Sequence, residues 1–240
     1  MSLDFDSARL PNNALTSEHH EWRAQLRRFF DREVIPYAEE WDENGAIPDE
    51  LWPKSAAVGI LGLGFPEEFG GITEGIDIWH SIILNEEMAR IAVGGIAATL
   101  MVHGIGLPPV INFGSEAIKQ LVAPPVLAGA KRISLAITEP GGGSDVARLQ
   151  TTARLDDDHY VVNGSKTYIT GGMNANWFTT AVRTGGEGSS GVSALLIPAD
   201  TEGVSRTSLD KKQGWWCSDT ATIYFDNVRV PVGNLLGQEN

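Results

Sequence analysis

The sequence predicts an α+β chain of two domains: an all-α helical domain over residues 1–131, then an antiparallel β-barrel over residues 132–240. Three observations carry this. Apolar residues recur every three or four positions from Thr16 to about Ala130, every second position after Lys131–Arg132, and polar glycine-rich connections separate the later runs. Helices gathered in one half and strands in the other point to segregated layers and exclude an alternating dinucleotide-binding sheet.

Each element has its own signal. Trp22, Leu26, Phe29, Phe30 and Val34 form one face of a first helix, with Arg23, Arg27, Arg28 and Asp31 opposite and Thr16 or Ser17 as its N-cap. Pro36 ends or kinks it, after which Tyr37, Ala38 and Trp41 carry another turn. A second helix starts near Pro48–Asp49–Glu50 and runs through Leu51, Trp52, Ala56 and Val58, and the "FPEEFGG" that follows reads as a loop. Residues 76–91 make a further helix, with Ile78, Ile82, Ile83 and Met88 on its face and Glu86 and Glu87 on the surface or in a domain contact. In the second half "RISLAIT", "LQTTARL", "HYVV", "KTYIT", "NWFTTAVRT", "VSALLIP" and "TATIYFDNVRV" are strands, about seven in all. Asp156–Asp158 turn the chain, and Asn163–Gly164 is the strongest hairpin signal because both residues tolerate positive φ.

Composition narrows the function classes. With 31 acidic against 18 basic residues the chain carries a formal charge of -13, the wrong field for a nonspecific nucleic-acid binder. A single cysteine, Cys217, leaves no internal disulfide or multi-thiolate metal site and fits a reducing cytoplasm. No basic-then-apolar leader opens the sequence. Residues 91–114 carry no formal charge and could span a bilayer by length, but Gly94, Gly95, Gly104, Gly106, Pro108 and Pro109 argue for buried helices and no membrane. His19–His20 fall on a polar helix face, solvated rather than metal-binding.

The stretch "LAITEPGGGSDVARLQ" (135–150) places three glycines, a hydroxyl and a carboxylate between two strands. Alone, a glycine triplet is a flexible connection; neither standard phosphate-binding glycine pattern nor a serine elbow is present. Its company says more. Hydroxyls at Thr138 and Ser144, with Asp145 and bare glycine backbone, suit a dinucleotide pyrophosphate, and "GSKTYITGG" (164–172) adds Tyr168 and Thr170 for a planar heterocycle.

Four stretches, "GILGLGFPEEFGG", "AITEPGGGSDVA", "NGSKTYITGG" and "CSDTATIYFDNVRVPVGNLLGQEN", resemble in order the motifs of the acyl-CoA dehydrogenase family, from about residue 16 to residue 240. The resemblance implies FAD as cofactor, held by Leu135, Ile137, Thr138, Gly143, Ser144, Tyr168, Ile169 and Thr170. Ile137 and Thr138 would meet the pyrimidine edge, Tyr168 would shield one ring face, and Thr170 would bond near N5. It further implies an acyl-CoA substrate met by Ser144, Met101 and Ile105, although plain packing explains the last two equally well. Arg148 departs from the family pattern, which has a small residue there, and adds charge on the CoA-facing side.

The implied reaction is α,β-dehydrogenation of an acyl-CoA thioester, with a carboxylate removing the α-proton and hydride passing to the flavin. In the family the base lies on a C-terminal helical domain, which would begin after Asn240, and no carboxylate in this sequence matches it. The chain alone is therefore expected not to turn over substrate. Electron-transfer flavoprotein as acceptor and a homotetrameric assembly complete what the resemblance implies. Two other readings stay open: an acyl-CoA oxidase or flavin monooxygenase on the same scaffold, and a nonenzymatic acyl-CoA- or partner-binding protein.

Overall fold

Helix α1 (Ser17–Glu33) starts with a reciprocal cap: the Thr16 hydroxyl accepts from the His19 N–H, and His19 Nδ1 accepts the Thr16 N–H at 3.0 Å. Pro36 follows in a 3-10 turn, Ile35–Tyr37, before α2 (Ala38–Asn44) and α3 (Leu51–Val58). Helix α4 (Ile78–Ala89) repeats the device, with Asp77 as cap and His80 Nδ1 accepting the Asp77 N–H. His19 Nε2 lies 2.9 Å from Asp77 Oδ1, so one carboxylate ties both helix starts together. His19 is thus buried, contrary to its polar sequence neighbourhood, because its ring closes a cap and crosses to the next one.

The computed structural model describes residues 3–239. One compact unit gathers the chain up to Leu100 with Leu127–Ala130 and Gln213–Ser218; the other holds Met101–Val126, Lys131–Lys212 and the chain from Asp219 on. In the first unit Leu26, Phe29, Phe30 and Val34 meet Leu51, Trp52, Ile83, Leu84 and Met88 in the core. Of the two places expected for Glu87, the surface or a domain contact, the surface is overturned. Glu87 is fully buried, and guanidinium groups of Arg27, Arg23, Arg9 and Arg90 reach its two oxygens at 2.9–3.2 Å. Burial pushes this carboxyl up, but Arg27 and Arg23 outweigh that and hold it below the usual range. Ile78 and Ile82, expected on the core face with Ile83 and Met88, are instead exposed.

The uncharged stretch 91–114 breaks into α5 (Gly94–Leu100), α6 (His103–Gly106) and α7 (Pro108–Phe113), followed by α8 (Glu116–Leu127). No single helix among the described residues is long and apolar enough to cross a membrane.

The second unit is built on an eight-stranded sheet: β1 (Ile133–Ala136), β2 (Thr152–Asp156), β3 (His159–Thr170), β4 (Trp177–Arg183), β5 (Val192–Pro198), β6 (Val204–Ser208), β7 (Thr220–Pro231) and β8 (Leu235–Leu236). Their order is β6-β7-β3-β2-β4-β5-β8, with β1 beside β4. This corrects the expected antiparallel barrel in two ways. The sheet is mixed, because β1 runs parallel to β4 and β2 meets it in parallel at Thr152–Arg183. Nor does it close, since β6 and β8 lie at opposite ends of the path. A two-residue period reports which side chains face inward and says nothing of strand direction. Phe178, Val182, Leu195, Ile197, Ile223, Phe225 and Val230 fill the core of this sheet.

Asn163–Gly164, expected to turn a hairpin, sits inside continuous strand β3 opposite a bulge in β7, where Asp226 and Asn227, the latter at φ 51°, face the single residue Asn163. Gly164 is required there: its φ is 144°, and a Cβ would fall 2.6 Å from Thr151 Oγ1. The β2–β3 turn itself falls at Asp157, with φ 55°.

Candidate functional site

The glycine corner fills a gap along one edge of β4. Strand β1 pairs with Trp177–Thr180; the chain then departs, and it rejoins the same edge where the Arg183 N–H donates to Thr151 O at 2.7 Å. Everything from Ile137 to Gln150 is the excursion between those two points. Glu139 and Gly142 exchange backbone hydrogen bonds at 3.0 and 3.1 Å, which makes the first bend.

Glu139 closes the base of this excursion. Its carboxylate accepts from the N–H groups of Gln150 at 2.6 Å and Thr151 at 2.9 Å, and from Lys166 Nζ at 2.7 Å. Lys166 is fully buried and also donates to Ile137 O at 3.0 Å. Burial raises the Glu139 carboxyl, yet Lys166 and the Thr151 contacts hold it below its ordinary value. The sequence marks Glu139 as part of the corner but gives no role to Lys166. A usable signal existed: Lys166 shares the inward parity of Tyr160 and Val162 on β3, where an unpaired lysine is excluded.

Strand β3 brings the second motif alongside. The Thr167 N–H donates to Thr138 O at 2.8 Å, which sets residues 166–168 against 137–139. A second slip in register, between Lys166 and Ile169, throws Tyr168 outward at φ 58° with 70% of its surface exposed. A non-glycine residue in that conformation costs of order 1–3 kcal/mol and an exposed ring returns little of it, which makes Tyr168 a candidate functional position. The hydroxyls of Thr138 and Thr170 are half-buried and make no hydrogen bond among the described residues. Gly171 follows at φ 72°, and a Cβ there would meet Ser134 Oγ at 2.9 Å.

The other sequence-derived residues separate by orientation. Leu135 and Ile137 are half-buried beside Thr138, whereas Ile169 points into the core and offers only backbone to a ligand. Gly143 lies under Thr138, and Ser144 is exposed at the tip of the corner. Met101 is half-buried just before α6 and Ile105 is 56% exposed on it. Thr179 Oγ1, donating to Gly106 O at 2.7 Å, fixes α6 over β4.

Beside the corner lies an open groove of about 670 Å³, lined by Asp145, Arg148, Leu149, Gln150, Arg183 and Glu187 among others. Arg183 is fully engaged, donating to the carbonyls of Leu149, Ala147, Gly186 and Gly188. Arg148 is exposed and makes no ion pair among the described residues.

The geometry defines an open two-part cradle on a mixed sheet, and comparison with known proteins specifies the family. The model of the acyl-CoA dehydrogenase N-terminal domain matches residues 16–130, and that of the middle domain matches residues 134–228. The chain belongs to the acyl-CoA dehydrogenase family. It is 36% identical to the long-chain specific acyl-CoA dehydrogenase, mitochondrial, of Rattus norvegicus, over 94% of this chain and 52% of that protein. A crystal structure of a probable acyl-CoA dehydrogenase from Mycobacterium abscessus superposes with a TM-score of 0.89 at 46% identity, covering 93% of this chain and 59% of that one. An acyl-CoA dehydrogenase complexed with FAD from Bacillus anthracis gives 0.85 at 35% identity, covering 95% and 40%. The chain thus spans about half the length of the curated relatives it matches.

Proposed function

We propose that these residues form the flavin- and thioester-binding part of an FAD-dependent acyl-CoA dehydrogenase. One observation carries the reading: Tyr168, exposed at positive φ on β3, stands two residues before Thr170 and next to Thr167, whose N–H bonds Thr138 O just beyond β1, so that the unbonded hydroxyls of Thr138 and Thr170 come from segments held together at that point. An aromatic face and two available hydroxyls around bare backbone fit a flat heterocycle with a polar edge. Thr138 and the backbone of Ile137 would hold the pyrimidine edge, Thr170 would reach toward N5, Tyr168 would cover one face, and Gly143 and Ser144 would meet the diphosphate, with Leu135 and the backbone of Ile169 beside them. Bound FAD supplies a two-electron acceptor.

The thioester side is assigned to Ser144, Met101 and Ile105, and the groove beside the glycine corner offers Arg148 as a cation for the phosphates of coenzyme A. Glu139 is no candidate for the base that removes the α-proton, since both its oxygens are committed to Lys166 and two backbone N–H groups. By family relationship the base is proposed to come from the part of the relatives' length that this chain does not match, as are further contacts of an oligomer. Electron-transfer flavoprotein is the proposed electron acceptor, by family relationship.

Anaerobic mixing of the FAD-loaded chain with a panel of acyl-CoA thioesters tests this. The expected result is flavin binding, thioester binding, and no flavin bleaching at catalytic rates. Bleaching at such rates would refute the assignment of the base, and failure to take up FAD would refute the cofactor.

A further inference from the structure

We infer that Lys166 and Glu139 act as a positioning pair that sets the flavin-facing backbone of Ile137–Thr138, an inference that rests on the flavin reading above. Two fully or nearly fully buried ions on a sheet are unnecessary for its stability, since apolar side chains of like volume pack as well or better. What such side chains cannot supply is the bonding pattern seen here. Lys166 Nζ reaches Ile137 O at 3.0 Å and Glu139 Oε1 at 2.7 Å, thereby fixing the residues on either side of Thr138. Glu139 then bonds the N–H groups of Gln150 and Thr151, where the glycine excursion returns to the sheet. The Thr167 N–H holds Thr138 O from the adjoining position on β3. The carbonyls of Ile137 and Thr138 are thus both clamped from Lys166–Thr167, one residue before the exposed ring of Tyr168. One ion pair couples the two halves of the cradle, and neither ion needs to touch the flavin.

The experiment is an FAD titration of the whole chain, wild type and variants, recording affinity, the visible absorption band of bound flavin and the unfolding midpoint. Glu139→Gln and Lys166→Met are expected to weaken FAD by at least about tenfold, the cost of one or two charge-assisted hydrogen bonds, and to shift or broaden the band. Lys166→Met combined with Glu139→Leu is expected to regain the midpoint without regaining affinity or band shape, which separates positioning from plain support. Glu87→Gln, in the helical unit, serves as a destabilised control that leaves the bound-flavin band unchanged.

Recovery of affinity and band together with the midpoint in the double variant would overturn the inference, as would wild-type binding by the single variants. A wild-type chain that takes up no FAD would instead bring down the flavin reading itself.

Discussion

Tyr168 is the residue at which local and functional demands conflict. Its φ of 58° suits glycine, and its ring is mostly exposed, so the fold gains little from the side chain. Tyr168→Gly is therefore expected to leave stability unchanged or raise it by about 1 kcal/mol, while weakening FAD binding. Thermal unfolding and flavin titration of one preparation check both signs; a loss of stability with unchanged flavin affinity would make Tyr168 a structural residue. The aromatic at 168 was legible because it stands inside a recognisable motif. Lys166, two residues earlier, was not, because alternation shows that a side chain points inward without showing its partner. That partner, Glu139, is 27 residues away in sequence and meets it only through the β1–β4 and β3 geometry.

Helix α1 and helix α4 show how far element-level patterns extend. Their existence and approximate ends follow from apolar spacing and caps, but not the bond from His19 to Asp77, which spans 58 residues to join the two caps. Burial at this junction pushes the Asp77 carboxyl up, while bonds from His19 and His80 override it and bring the pKa down from 3.8 to about 2. A carboxyl with a depressed folded-state pKa lends stability above its unfolded value and loses it as pH falls through the folded one. Helical stability should therefore hold above pH 3.8 as far as this group is concerned, and fall between there and about 2. Asp77→Asn keeps a cap acceptor but removes the titration, so it is expected to flatten that part of the acid limb in urea melts followed by circular dichroism. Among the strands, the inward set was legible and the topology was not: β1 and β2 both run parallel to β4 along one of its edges, joined by the excursion from Ile137 to Gln150, and the β2–β3 hairpin then separates them from β4 in sequence. Phe178, completely buried on β4, gives the corresponding test of the core, with Phe178→Ala expected to cost about 3–5 kcal/mol in chemical unfolding.

At the scale of the whole molecule a charge of -13 must be reconciled with the proposed ligand, an anionic coenzyme A ester. The two act over different distances. The screening length shrinks from about 30 Å at 0.01 M salt to about 8 Å at 0.15 M, so spread-out negative charge repels an approaching ligand strongly only at low salt. Under the proposed reading, Arg148 and the backbone of the corner would act within hydrogen-bonding range of a docked ligand, where salt screens little. Raising salt across that range is therefore expected to speed association of an acyl-CoA several-fold and to leave dissociation nearly unchanged. Arg148→Gln should do the reverse, speeding dissociation while preserving the salt trend of association. Stopped-flow mixing with a fluorescent acyl-CoA analogue measures both rates. Association that slows with added salt would mean that the cations around the groove already dominate the field at a distance, and that the net charge of the sequence is no guide to what its binding face presents.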